Sequence, residues 1–238
     1  MAHPIEHTGV WPVALTAVMM LLVLLTLWGL SALRTQAERE LRALYQRDVD
    51  LYLERLEHNR LLALVFRKPA LLLCRLEGYM KKGDDEKLRR TIAQLDSMRL
   101  PPRDRVQFYQ DRLSYFASTG EAGEARASRD ALAAFLKRSG ADRQEKYRKM
   151  LDDADQIVAV YLDRDTSLLP RLRQQAAETS DPTQRGILQY RIAKLFHFAG
   201  DRDMTSVYLK RARKNLQNTY YEVMIREAME DPSVLDRQ

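Results

Sequence analysis

The chain has 238 residues and a net formal charge of +6; 30% of the residues are charged and 45% hydrophobic. Ala, Leu, Arg, Glu and Gln dominate and only 9 Gly and 8 Pro occur, so the composition predicts an all-α protein. The single cysteine, Cys74, excludes an internal disulfide and a cysteine-rich zinc site. Within Leu71-Leu72-Leu73-Cys74 it reads as a small buried hydrophobe.

Residues 1–9 form a short tail without Lys or Arg, followed over residues 10–33 by an apolar run without a charge. At ~1.5 Å per residue about 20 apolar residues cross a bilayer core, so the run predicts a single transmembrane helix. Trp11 and Trp28 sit near its ends as interfacial anchors. A cleaved signal peptide is disfavoured by the uncharged start, the length of the run and the poor cleavage site at Ser31-Ala32-Leu33-Arg34. Gly29 and Ser31, with Ala14, Ala17 and Ala32, offer small surfaces for contact with another membrane helix. Arg34, Arg39, Arg42 and Arg47 follow the run while no base precedes it. That asymmetry favours a bacterial inner-membrane protein with the tail outside and the large domain in the cytoplasm, a periplasmic or extracellular domain being the alternative.

Residues 34–68 predict a connecting amphipathic helix that continues out of the membrane. Leu41, Leu44 and Leu51 mark one apolar line and Tyr45, Val49, Leu53 and Leu56 a neighbouring one, too broad together for a strict heptad seam. Leu61 to Phe66 is solidly apolar and is expected to be buried, with Arg67-Lys68-Pro69 as the stop.

Residues 69–222 repeat a pattern. Tyr79 precedes Gly83 by four positions, Phe116 precedes Gly120, Tyr161 precedes Asp165 and Phe196 precedes Gly200. In each case an apolar helical segment ends at the turn residue and a second amphipathic segment follows, such as Leu88, Ile92 and Leu95 after Gly83, or Val207, Leu209 and Ala212 after Gly200. A glycine in the left-handed region reverses the chain while the aromatic wedges between the two helices, so these units predict helical hairpins.

The pattern resembles the tetratricopeptide repeat, with its helix-turn-helix unit of ~34 residues. The fourth unit matches best, through Ile192-Ala193, Phe196, Gly200 and Ala212. The third offers Ile157, Val158, Tyr161, Ala177 and Pro182, but Asp165 replaces the glycine and Pro170 falls where a second helix should run or start. The first has Leu76, Tyr79, Gly83 and Pro101, and the second Leu113, Phe116, Gly120 and Ala125. The resemblance implies about four stacked hairpins with one curved surface left for a partner. Residues 223–238 would supply the end of a capping helix, begun near Tyr220, and a loose tail from Asp231 to Gln238.

The same resemblance points to protein binding, with Tyr190, Lys194 and His197 on the first helix of the fourth unit facing the partner. A P-loop, a dinucleotide-binding glycine fingerprint and an HExxH pair are absent from the sequence, which reads as a non-enzyme with no cofactor. His3 and His7 fall in the tail and His58 on the connecting helix. Asp84-Asp85-Glu86 and the Asp152, Asp153 and Asp155 group lack the spacing of a calcium loop and read as helix starts or exposed faces. Lys210, Arg211, Arg213 and Lys214 form the tightest basic patch, a solvated helix face for which anionic lipid is a candidate contact. The aromatics are not interleaved with it, which disfavours nucleic acid. Two readings remain: a membrane-anchored scaffold that recruits or assembles a complex, and an accessory structural subunit of a larger integral membrane complex.

Overall fold

A computed structural model describes residues 10–217, 219 and 221–236, the side chains from residue 15 onward. The tail 1–9 with His3 and His7, the Trp11 and Ala14 side chains, Tyr220 and Gln238 lie outside the described residues. Every regular element among the described residues is helical. Two compact units divide between Leu71 and Leu72.

The first unit is built on α1 (Val10–Arg47), which runs unbroken from the apolar stretch into the charged one. Among the described residues it is the one helix long and apolar enough to cross a membrane. Leu15, Leu21, Leu25 and Leu33 are each more than half exposed, and none of the apolar stretch is buried among the described residues. A helix that is apolar all round and uncovered by its own chain has the surface of a membrane span rather than of a core helix.

The connecting helix is not continuous, contrary to the sequence expectation. Asp48 leaves the helical region (φ −152°, ψ 101°) and its carboxylate accepts hydrogen bonds from the Asp50 and Leu51 amides, capping a new helix, α2 (Val49–His58). α2 folds back along α1: Tyr45 and Tyr52 meet edge to face at 5.2 Å, and Arg55 pairs with Glu40 at 3.0 Å. The residues read as one broad stripe are instead divided between two antiparallel helices, with Leu41, Tyr52, Leu53 and Leu56 buried and Leu51 exposed. A turn at Asn59 leads to the short α3 (Leu62–Val65). Of the stretch expected to be buried only Leu62 is; Leu61 and Leu64 are exposed. Pro69 does not simply end the preceding helix, because it sits in the first turn of α4 (Lys68–Lys82), where its missing amide costs nothing.

In chain order the second unit carries α4, α5 (Asp85–Asp96), α6 (Pro102–Ser118), α7 (Ala122–Lys137), α8 (Ala141–Ile157), α9 (Leu169–Glu178), α10 (Pro182–Phe198) and α11 (Arg202–Asn215), taken two by two as four successive pairs; α6 packs on α7 and α10 on α11, whereas α8 packs on α7 and α9 on α10. Gly83, Gly120 and Gly200 all adopt φ between +76° and +78°. The amide of the following residue then bonds the carbonyl of the aromatic five positions back: Asp84 to Tyr79 (3.1 Å), Glu121 to Phe116 (2.9 Å) and Asp201 to Phe196 (2.9 Å). The third turn departs from this. α8 runs into a wide π-helical turn (Val158–Leu162), and the left-handed residue is Arg164 (φ 53°), not Asp165. Pro170 lies in the first turn of α9 and starts it.

Consecutive pairs are joined by arginine–carboxylate contacts. Arg112 reaches Asp96 (3.0 Å), Arg129 reaches Asp155 (2.6 Å), and Arg191 reaches Asp153 (2.6 Å). α12 (Tyr221–Glu230) buries Met224, Ile225 and Ala228. The segment after it is not a loose tail: Pro232–Asp236 forms a 3-10 turn with Leu235 fully buried.

Gly186 of α10 lies against the C-terminal end of α11, where an added Cβ would lie 2.5 Å from Leu216 Cγ and 2.9 Å from Asn215 Cβ. Gly186→Ala should therefore cost about 1–3 kcal/mol through overpacking. Gly120→Ala, in open space, should cost about 1–2 kcal/mol through left-handed strain alone. In a double-mutant cycle read by thermal unfolding of the detergent-solubilised chain, Leu216→Ala couples to the first substitution and not to the second.

Candidate functional site

Helix α10 is the centre of the second unit. Leu188 and Tyr190 to Phe196 are all buried, between α9, α11, α12 and the C-terminal turn. This overturns the expectation that Tyr190 and Lys194 line an open binding face. Both are fully buried, and the face expected to hold a partner is covered by the chain's own C-terminal segment. Tyr190 packs edge to face on Tyr221 at 5.5 Å. Lys194 Nζ donates to the Leu235 carbonyl at 2.6 Å and lies 4.8 Å from the Tyr161 ring and 5.4 Å from that of Phe198. Of the three, His197 alone reaches the surface, where its Nε2 stands 3.2 Å from Asp236 Oδ1. Arg164 stacks on Phe198 at 4.6 Å from the other side. Lys194 and His197 thus fasten the C-terminal turn.

The open concavity lies elsewhere. A groove of about 870 Å³ is lined from α6 by Gln107, Gln110, Asp111 and Ser114, from α8 by residues 148–157, and from α9, α10 and α12 by residues including Gln175, Gln184, Arg191 and Tyr221. Its main walls are the first helices of the second, third and fourth pairs. Ile157, Ile187 and Leu188 supply an apolar floor, whereas the charged lining is Asp111, Asp152, Asp153, Glu178 and Asp181 against Arg148, Lys149 and Arg191. Carboxylates and bases are thus mixed in this lining, in contrast to the basic outer face of α11.

Two buried polar groups define its chemistry. The Arg191 guanidinium, almost without exposed surface, donates to Asp153 Oδ1 at 2.6 Å and Gln156 Oε1 at 3.3 Å, while its Nε has no partner. Asp111 accepts from Gln107 Nε2 at 2.9 Å through Oδ1, and its Oδ2 is sealed and unpartnered. Burial, with the neighbouring Glu77 carboxyl adding to it, raises the Asp111 pKa well above the ordinary carboxylate range. Burial raises that of Glu77 too. An orphaned buried oxygen costs about 1–3 kcal/mol.

The remaining candidates do not join this groove. Lys210, Arg211, Arg213 and Lys214 are exposed on α11, opposite the buried Tyr208, Leu209 and Ala212, with Arg211 over the Tyr208 ring at 5.1 Å. Trp28 is 73% exposed, Ser31 is exposed, and an added Cβ on Gly29 would meet nothing within 4 Å, so this part of the α1 surface is uncovered among the described residues. Asp84 caps α5 by accepting from the Lys87 amide, and Asp85 accepts from the Tyr115 hydroxyl. Asp153 and Asp155 serve the arginine contacts already described. Cys74 is half-buried on α4, and His58 lies near the Glu54 carbonyl on α2. Among the described residues no group of three or more His, Cys, Asp and Glu side chains is placed to hold a metal ion.

The groove residues escaped sequence reasoning because they sit on helices far apart in the chain. The one local signal was Arg191, a charge between the apolar Tyr190 and Ile192 in the best-matched unit. No family model, no curated protein and no solved structure matches this chain.

The Lys194 site carries a pH dependence. Burial, together with the nearby Arg164 charge and against the pull of Asp236, pushes the amine from 10.5 down to about 7. Between those values the unfolded chain holds a proton that the folded chain has released, so stability rises with pH through that window and falls towards pH 7. Unfolding midpoints measured from pH 6.5 to 10 should climb in the native protein, and Lys194→Met should flatten that slope.

Proposed function

We propose that this chain is a membrane-anchored protein–protein interaction scaffold, which recruits or assembles a complex at the bacterial inner membrane. In this reading α1 is the single-pass anchor and the second unit is a degenerate tetratricopeptide-like array of four hairpins. The observation that carries the proposal is the groove along α6, α8 and α10, since it draws on the same position in three successive pairs, as a partner-gripping surface of stacked hairpins does. Support for the repeat comes from the shared left-handed glycine turns and the pairwise arginine contacts. The groove's mixture of apolar floor and polar walls suits an extended protein segment. The excess of arginines after the apolar run supports a cytoplasmic second unit. The reading involves no enzymatic step and no cofactor.

A second reading is favoured by the uncovered small surface at Gly29 and Ser31 on α1, where another membrane helix would pack closely. There the chain is an accessory structural subunit of an integral complex, recruited through its span.

The readings separate in one experiment. Gln184→Trp, which fills the groove from an exposed position, should reduce recovery of partners with the affinity-purified full-length protein by about tenfold, the scale of one interface hot spot, while leaving it in the membrane fraction. Undiminished recovery of a fixed set of integral membrane subunits from that variant, lost instead on Gly29→Leu, overturns the scaffold in favour of the subunit.

A further inference from the structure

Helix α1 continues past the last residue of the apolar run, Leu33, for fourteen residues to Arg47, about 21 Å at ~1.5 Å per residue. α2 then returns antiparallel to it, so each residue along α2 lies closer to the membrane end of α1 than the one before. Arg55 is level with Glu40, and the descent ends at α3, where the Arg34 guanidinium lies 5.7 Å from the Phe66 ring centre. Arg34 is the first charged residue after the apolar run. α3 therefore sits at the height at which α1 leaves its apolar stretch. Here Leu61 and Leu64 are 68% and 74% exposed, more than any other large hydrophobic side chain among the described residues outside α1. Exposed Arg60, Arg67 and Lys68 flank them.

We propose that residues 60–68 form a second membrane contact, an interfacial foot in which Leu61 and Leu64 enter the headgroup and acyl boundary while Arg60, Arg67 and Lys68 stay among the lipid phosphates. Three observations choose lipid as the occupant: the height set by Arg34, the continuity with the apolar surface of α1, and the basic flank. Apolar side chains between cations are the composition of a segment that lies in an interface rather than crosses it. Phe66, held under Arg34, fixes the foot to the anchor. The proposal rests on α1 spanning the bilayer, and its test reads that reading separately.

The full-length chain is placed in phosphatidylcholine vesicles whose lipids are brominated near the headgroup end of the acyl chain. Native tryptophan emission reports the span. With Trp11→Phe and Trp28→Phe, Leu64→Trp reports the foot, Leu61→Trp repeats it at the second exposed position, and Leu51→Trp on α2 serves as the site remote from lipid. The foot predicts that emission from Leu64→Trp and Leu61→Trp falls about twofold in brominated vesicles and resists aqueous acrylamide, with Leu51→Trp behaving in the opposite way. Quenching of both foot variants by acrylamide and not by bromine overturns the foot while leaving the span intact if the native tryptophans are quenched. Protection from both quenchers overturns it in favour of a protein cover. Native emission indifferent to bromine overturns span and foot together.

Discussion

A single backbone hydrogen bond underlies the helical pairs: the amide after each turn glycine reaches back to the carbonyl of the aromatic residue five positions earlier. That bond forms only when the intervening residue takes a left-handed conformation, which glycine enters without a Cβ penalty. Once made, it directs the next helix back along the first and places the aromatic beside it, as Phe196 stacks on Tyr208 of α11 at 5.6 Å. Where no glycine is available, in the third pair, the chain reverses by another route. α8 widens into a π turn, the Asp165 amide reaches Ala159 instead, and Arg164 carries the positive φ. Arg164 is also the side chain stacked on Phe198, so an unfavourable backbone state is held by a contact at the C-terminal end of the fold.

Packing then decides which faces remain open. α10 is enclosed on nearly every side, and the residues that enclose it include the last elements of the chain, α12 and the 3-10 turn. A buried lysine is tolerated there because a carbonyl and two aromatic rings surround its amine. With that face closed, the exposed concavity shifts along the first helices towards α6 and α8, where the polar lining and the unpaired Asp111 oxygen lie. The mixed charges of this groove separate it from the basic outer face of α11.

Helical class, the apolar span and the positions of three turns were legible in the sequence because each depends on local chemistry: composition, an uncharged run, and an aromatic one turn before a glycine. Two kinds of feature were not. A helix break at Asp48 leaves no glycine or proline; it arises because one carboxylate caps the following amides, and the two resulting helices bury stripes that mimic one amphipathic face. Which side of α10 faces solvent depends on where residues 221–236 dock, about 40 positions later, and periodicity within α10 carries no trace of that. The same holds for the groove, whose members meet only when α6, α8 and α10 align. Tyr190 and Lys194 occupy the helix predicted for a partner surface, but their partners are Tyr221 and Leu235 of the same chain.

The unbroken course of α1 has a mechanical consequence. Because hydrogen bonding continues through Arg34 without a proline or a break until Asp48, the apolar stretch and its extension behave as one stiff lever. With α1 as the proposed membrane anchor, a tilt to match a thinner bilayer would swing that lever, and a 10° change would move its far end sideways by about 4 Å over about 21 Å. In that reading hydrophobic thickness is converted into lateral displacement of the α1–α2 reversal.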